Sequence, residues 1–227
     1  MARPPRPGLR DALLEGARAE FAQRGLERAR VEDIARRAGA SKGSFYLHFA
    51  TKEDAFAEIA QRFLGAMEDH VRRRQEAEER FDLAHAGEQG PELYRLQLEF
   101  DCQVDLELLE TLWRNRHILS ALDSTGGTPY QRLLAQFRRR MREFLTAHMA
   151  EKQAAGQLRK DLDPAVIADV LLGGYEDFAR RMADMREKPD LEAWLRSFLV
   201  ILYEGVLERP ASEAALRAPG LPPRQGD

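Results

Sequence analysis

Residues 28–56 read RARVEDIARRAGASKGSFYLHFATKEDAF, and the spacing of apolar residues in this stretch decides the fold. Val31, Ile34, Ala35 and Ala38 recur at i, i+3, i+4 and i+7, which predicts a short amphipathic helix ended by Gly39. Ser41 is placed to cap a second short helix carrying Phe45 and Phe49 on one side. The small Ala35 and Ala38 let two helices cross closely, and Gly39 suits a turn that needs φ > 0. This is the spacing of a helix-turn-helix. At about 100° per residue, Leu47 falls almost opposite Phe45, with Gly43 and Ser44 beside it and Tyr46 and His48 flanking. An apolar Leu47 on an outward face fits contact with thymine methyl groups, while Ser44, Tyr46 and His48 bring hydroxyl and imidazole groups. Lys42 and Lys52 can neutralise phosphates, and the free N–H groups at both helix starts add anion donors.

Working outward, Leu13, Leu14, Ala17 and Phe21 share a face of a preceding helix, and Gly25 is its stop signal. Thr51 and Asp54 form a capping-box pattern opening a longer helix with Phe56, Ile59, Phe63, Met67 and Val71 on its apolar face. Residues 72–80 are highly charged, and AHAGEQGP at 84–91 reads as a loop. Beyond it, Leu93, Leu96, Phe100, Val104 and Trp113 mark one helix. Residues 123–129 (DSTGGTP) are a turn. Tyr130 to Met149 carry a long amphipathic stripe, Asp163-Pro164 starts a helix with proline at its first position, and Pro189-Asp190 starts the last one. The tail from Arg209 is rich in proline, glycine and alanine, and disorder is expected there. The expected architecture is all-α with about nine helices: a three-helix head at 1–55 with its helix-turn-helix at about 30–49, a helical domain at 56–208, and the tail at 209–227.

Composition narrows the function. The chain has 227 residues, 44% hydrophobic and 32% charged, so it can bury a sizeable core and does not read as disordered. No apolar run approaches the ~18 residues of a bilayer helix, and the N-terminus MARPPRPGLR lacks the apolar core of a secretory signal. A single cysteine, Cys102, rules out an intramolecular disulfide framework and fits a cytoplasmic location. The net charge of −3 conceals +3 through residue 55 and −6 beyond it. A basic head on an acidic body suggests that the head meets a polyanion.

The combined pattern RGL…V-DIA-RAG-SKGSFY-HF-KED closely resembles the DNA-binding domain of TetR-type (TetR/AcrR) transcriptional regulators, position by position over about residues 9 to 56. The resemblance implies DNA contacts from Ser44, Tyr46, Leu47, His48 and Lys52, with Lys42 and Gly43 at the entry of the recognition helix. It also implies a homodimer formed through the last two long helices, where Gly173, Gly174 and Gly205 permit close contact, and a small-molecule effector bound in the divergent C-terminal domain. Two positions depart from the family. Arg30 stands where threonine usually caps the helix and touches a phosphate; it cannot accept the capping bond, although it can reach the phosphate directly. Leu26 replaces a common aromatic. Arg3 and Arg6 are candidates for a minor-groove arm, with a disordered tail the commoner outcome for such a segment.

For the effector, Phe63, Met67, Phe100, Gln103, Trp113, His117, Phe137, Met141, Tyr175 and Phe178 are candidate pocket residues, each weighed against plain core packing. Catalysis is not expected. Cys102 with the distant His117 is the only nucleophile pairing on offer, no GxSxG, P-loop or HExxH occurs, and the five histidines form no local metal motif. No cofactor or metal is implied. The leading expectation is a dimeric repressor released from a palindromic double-stranded operator by a small molecule. The alternative is a helical small-molecule-binding or interaction protein whose operator binding is impaired.

Overall fold

Leu13, Ala17, Ile34, Phe45, Phe56 and Ile59 are all buried, and they come from four successive helices. The computed structural model describes residues 8–88, 90–124 and 129–206. Among these it contains eight helices and no strand element: α1 Leu9–Arg28, α2 Val31–Arg37, α3 Lys42–Tyr46, α4 Lys52–Ala84, α5 Gly90–Ser124, α6 Pro129–Ala154, α7 Pro164–Ala183 and α8 Leu191–Val206. The charged stretch 72–80 lies inside the 33-residue α4. Arg3, Arg6 and the tail at 209–227 lie outside the described residues.

The chain forms two compact units. Among the described residues, one comprises those up to Glu68 together with those between Asn115 and Phe137; the other comprises those between Asp69 and Arg114 and those from 138 to 206. No helix among the described residues is long and apolar enough to cross a membrane.

In the first unit α1 changes direction at Gly25, whose φ of 74° and ψ of 164° leave the helical region. Gly39 turns α2 toward α3 with φ 64°, and Ala40 N–H donates to Ala35 O at 2.8 Å. Close crossing of α1 and α2 rests on Gly16: a Cβ there would stand 2.7 Å from Ile34 O. Phe56 of α4 meets Phe21 edge-on at 5.6 Å and Tyr130 of α6 at 4.9 Å. Each fully buried aromatic of this kind contributes about 1.5–3 kcal/mol by leaving water.

In the second unit Asp163 caps α7 by accepting from Ala165 N–H at 2.8 Å, with Pro164 in the first turn. Between α7 and α8, Phe198 meets Tyr175 and Phe178 edge-on, and Phe178 lies tilted against Trp194. Gly174 serves that intrachain contact. A Cβ on Gly174 would collide with the Phe198 ring at 2.4 Å, whereas Gly173 and Gly205 face open space.

Candidate nucleic-acid interface

The recognition helix α3 is only five residues long and is held by its ends. At its start Ser41 Oγ accepts from Ser44 N–H at 3.1 Å and lies 2.9 Å from Ser44 Oγ. At its end Phe49 N–H and His48 N–H donate to Phe45 O at 3.0 and 2.9 Å. Phe45 and Phe49 are buried. That anchoring turns Tyr46 and Leu47 outward, 49% and 83% exposed. The helical phase expected from the sequence is therefore the phase observed. Gly43 has only Ser41 Oγ near its missing side chain, at 3.8 Å, so no side chain crowds the backbone at the start of α3.

The basic residues behave differently from one another. Arg30 is exposed at the N-cap of α2, and its side chain makes no capping bond. Its carbonyl still accepts from Asp33 and Ile34 N–H, both at 3.1 Å. Lys42 Nζ pairs with Glu32 Oε1 at 2.6 Å. Hydrogen bonding within that pair raises the Lys42 pKa and lowers that of Glu32. Lys52, expected as a phosphate contact, donates to the carbonyls of Glu27 at 2.7 Å and Ala29 at 3.1 Å. It thus joins the start of α4 to the end of α1, satisfying carbonyls that a helix end leaves open. The capping box is reciprocal as expected: Thr51 N–H donates to Asp54 Oδ2 at 2.9 Å, and Asp54 N–H to Thr51 Oγ1 at 3.1 Å.

Sequence reasoning missed Arg10. Its guanidinium lies over the Phe49 ring, 4.6 Å from the centroid. Nη1 donates to His48 O at 3.3 Å and Nη2 pairs with Glu58. Half-buried His48 is thereby held from the carbonyl side. No local pattern marks Arg10, because its partners are 38 to 48 residues away.

The effector candidates divide between the units. In the first, Phe63 and Met67 are buried, while His117 and Phe137 are half-buried. In the second, Phe178 is buried, and Phe100, Trp113, Met141 and Tyr175 are half-buried. Gln103 is exposed, against expectation, because it lies one step past buried Cys102 and two before buried Asp105. Burial lowers the pKa of His117, so that ring favours its neutral form. The Tyr175 hydroxyl is committed to Asp105 as a donor.

Residues 13–59 match the family described as bacterial regulatory proteins, tetR family. The chain is 28% identical to the HTH-type transcriptional repressor DhaR of Mycobacterium sp. (strain GP1) over 215 residues, covering 94% of this chain and 97% of that protein. The head at residues 13–59 is therefore a TetR-family domain. Over 55 residues the chain is 51% identical to the HTH-type transcriptional repressor KstR2 of Mycobacterium tuberculosis, covering 24% of this chain and 28% of that repressor. The structure of that ketosteroid regulator superposes with a TM-score of 0.64 at 22% identity, covering 90% of this chain and 97% of the other. A SmeT–triclosan complex superposes with a TM-score of 0.63 at 20% identity, covering 97% and 99%.

Proposed function

We propose that this TetR-family chain is a dimeric repressor that reads a palindromic operator through Ser44, Tyr46, Leu47 and His48 and is released by a small molecule. The observation that carries the reading is Leu47. A leucine 83% exposed beside a fully buried Phe45 is a poor surface residue and a good partner for thymine methyl groups. Arg30 and Lys42 reach phosphates, and Gly43 keeps the backbone of α3 open to one. Lys52 acts by holding the α1 end of the head.

Domain 1–55 is the DNA-binding head, and 56–208 binds effector and partner. One five-residue helix reads too few base pairs, so a second copy is required. Val166, Val170 and Ile201 on α7 and α8 are 58%, 50% and 70% exposed, and they offer an apolar face for a four-helix dimer contact. The effector reading is supported by the DhaR likeness along nearly the whole chain and by the triclosan held by a structural relative. An effector that binds better to the state with separated heads shifts the population; equal affinity for both states shifts nothing. The long α4 is the natural lever.

Selection of bound duplexes from random DNA tests the proposal. The expected product is an inverted repeat with half-sites about 34–36 Å apart, bound by two chains. Recovery of no common sequence would contradict it and would favour an interaction protein with a disabled head, the reading to which the uncapped Arg30 belongs.

A further inference from the structure

Arg74 and Glu78 turn inward from the charged middle of α4, while Arg72, Arg73, Glu79 and Arg80 stay exposed. The Arg74 guanidinium serves three carboxylates. Nε donates to Asp105 Oδ1 at 2.9 Å, Nη1 to Glu78 Oε2 at 3.1 Å and Nη2 to Asp101 Oδ1 at 2.6 Å. Asp101 and Asp105, one turn apart on α5, are both buried. Their outer oxygens are taken by the C-terminal helices: Tyr175 of α7 donates to Asp105, and Tyr203 of α8 donates to Asp101. Gln97 Nε2 adds a bond to Asp101 Oδ2 at 3.2 Å. From α6, Lys152 Nζ lies 2.5 Å and His148 Nε2 3.0 Å from the Glu78 carboxylate. One guanidinium thus gathers side chains from every helix of α4 through α8.

The chemistry makes this hub directional. A guanidinium is a rigid planar fork, so each of its N–H vectors fixes one carboxylate in place. Losing any of these partners strands a buried charge, at a cost far above that of a slipped apolar contact. Apolar side chains of similar volume would serve packing as well or better, and they would leave the helices free to slide. We propose that Arg74 is the coupling residue of this regulator: through the Asp101–Tyr203 and Asp105–Tyr175 pairs it ties α7 and α8 to α4, so that a displacement of the dimer-forming helices becomes a displacement of the helix that begins at the DNA-binding head. The inference rests on the proposed regulator reading. It adds to it the residues that carry the signal. Arg74 is a positioning residue that touches neither DNA nor effector.

The test compares full-length wild type with the Tyr175→Phe/Tyr203→Phe variant, which removes two hydroxyls and leaves Arg74 with all three carboxylates. Spin labels at exposed Ala22→Cys, with native Cys102 buried, report the distance between the two heads of a dimer. The expected result is a shifted or broadened distance distribution at unchanged helicity and dimer mass. Operator affinity is expected to fall with it by about tenfold, within the usual range of coupling between sites. Arg74→Lys, which keeps the charge but loses the fork, is expected to shift the distribution in the same way. A distribution superimposable on wild type, with only a lower melting temperature, would overturn the coupling role and leave a structural salt bridge. If the double variant does not fold, Tyr175→Phe and Tyr203→Phe alone are judged by the same distance. Failure of wild type to select any DNA sequence strikes the regulator reading, while the distance comparison still decides the tie.

Discussion

The carbonyl oxygen of Ile34 occupies the space where a side chain on residue 16 would begin: a Cβ on Gly16 would stand 2.7 Å from it. The α1 and α2 backbones meet there without intervening side chains. Since Ile34 belongs to the helix that precedes α3, the approach sets where the recognition helix is presented.

Gly16→Ala is therefore expected to destabilise the head by about 1–3 kcal/mol, as overpacking against backbone does. Gly43→Ala, facing only a distant hydroxyl, is expected to leave stability within about 0.5 kcal/mol. Thermal melts with amide exchange of α1 to α3 check both. Equal melts for the two variants would contradict the packing reading.

Glu32 pairs with Lys42 and adds a negative charge beside the exposed face of α3. Glu32→Gln is expected to tighten binding to specific and scrambled DNA alike and to steepen the log–log salt slope by about 1. Lys42→Ala is expected to flatten the slope. Anisotropy across a salt series reads both, and no change in slope for either variant would remove Lys42 from the phosphate contacts.

Leu47→Ala is expected to leave the stability of the free protein unchanged, because the side chain is already in water. On operator DNA, replacing the contacted thymine by uracil is expected to weaken wild type by about 0.8 kcal/mol, one apolar carbon's worth of burial. The same replacement should leave Leu47→Ala unaffected. Equal losses in the two proteins would place Leu47 away from the base.

Much of the head was legible because its determinants are local. The phase of Phe45 against Leu47, the Ser41 cap and the Thr51–Asp54 box all act within four residues and appeared as expected. The tie from Lys52 to the end of α1 was not legible, because its acceptors are backbone carbonyls 23 and 25 residues away, which no side-chain pattern reveals. Gly16 was overlooked, although it lies on the same face of α1 as Leu13 and Ala17. Arg74 was hidden in a charged run that reads as a solvated face. A signal did exist: Phe63, Met67, His70, Arg74 and Glu78 continue one helical stripe at spacings of four, three, four and four. Following register rather than hydropathy would have turned Arg74 and Glu78 inward.

The hub also predicts a pH dependence. Burial pushes the Asp101 carboxyl up to about 7 from 3.8; Arg74 opposes this, and Asp105 and Glu78 add to it. Because the folded state holds that proton more tightly, Asp101 adds stability as pH falls below about 7, by up to about 1.4 kcal/mol per pH unit down to the unfolded value. Glu78 acts in the opposite sense. Burial disfavours its charge, but His148, Arg74 and Lys152 outweigh that and hold it at about 2, so its contribution is lost only below pH 4.5. Burial lowers the pKa of His70, which costs stability as pH falls through 6.5. The comparison that isolates Asp101 is wild type against Asp101→Asn in denaturant melts from pH 7.5 to 5, where wild type is expected to gain on the variant. Parallel profiles would contradict the raised value.

Most direct for the central claim is fluorescence anisotropy of the full-length protein on DNA upstream of its own gene and on the sequence selected from random duplexes, each against scrambled DNA over a salt series. Nanomolar preference with a log–log slope of about −5 to −7, as for a dimer making ~6–8 phosphate contacts, is the predicted result. Equal affinity for selected and scrambled DNA at every salt concentration would contradict it.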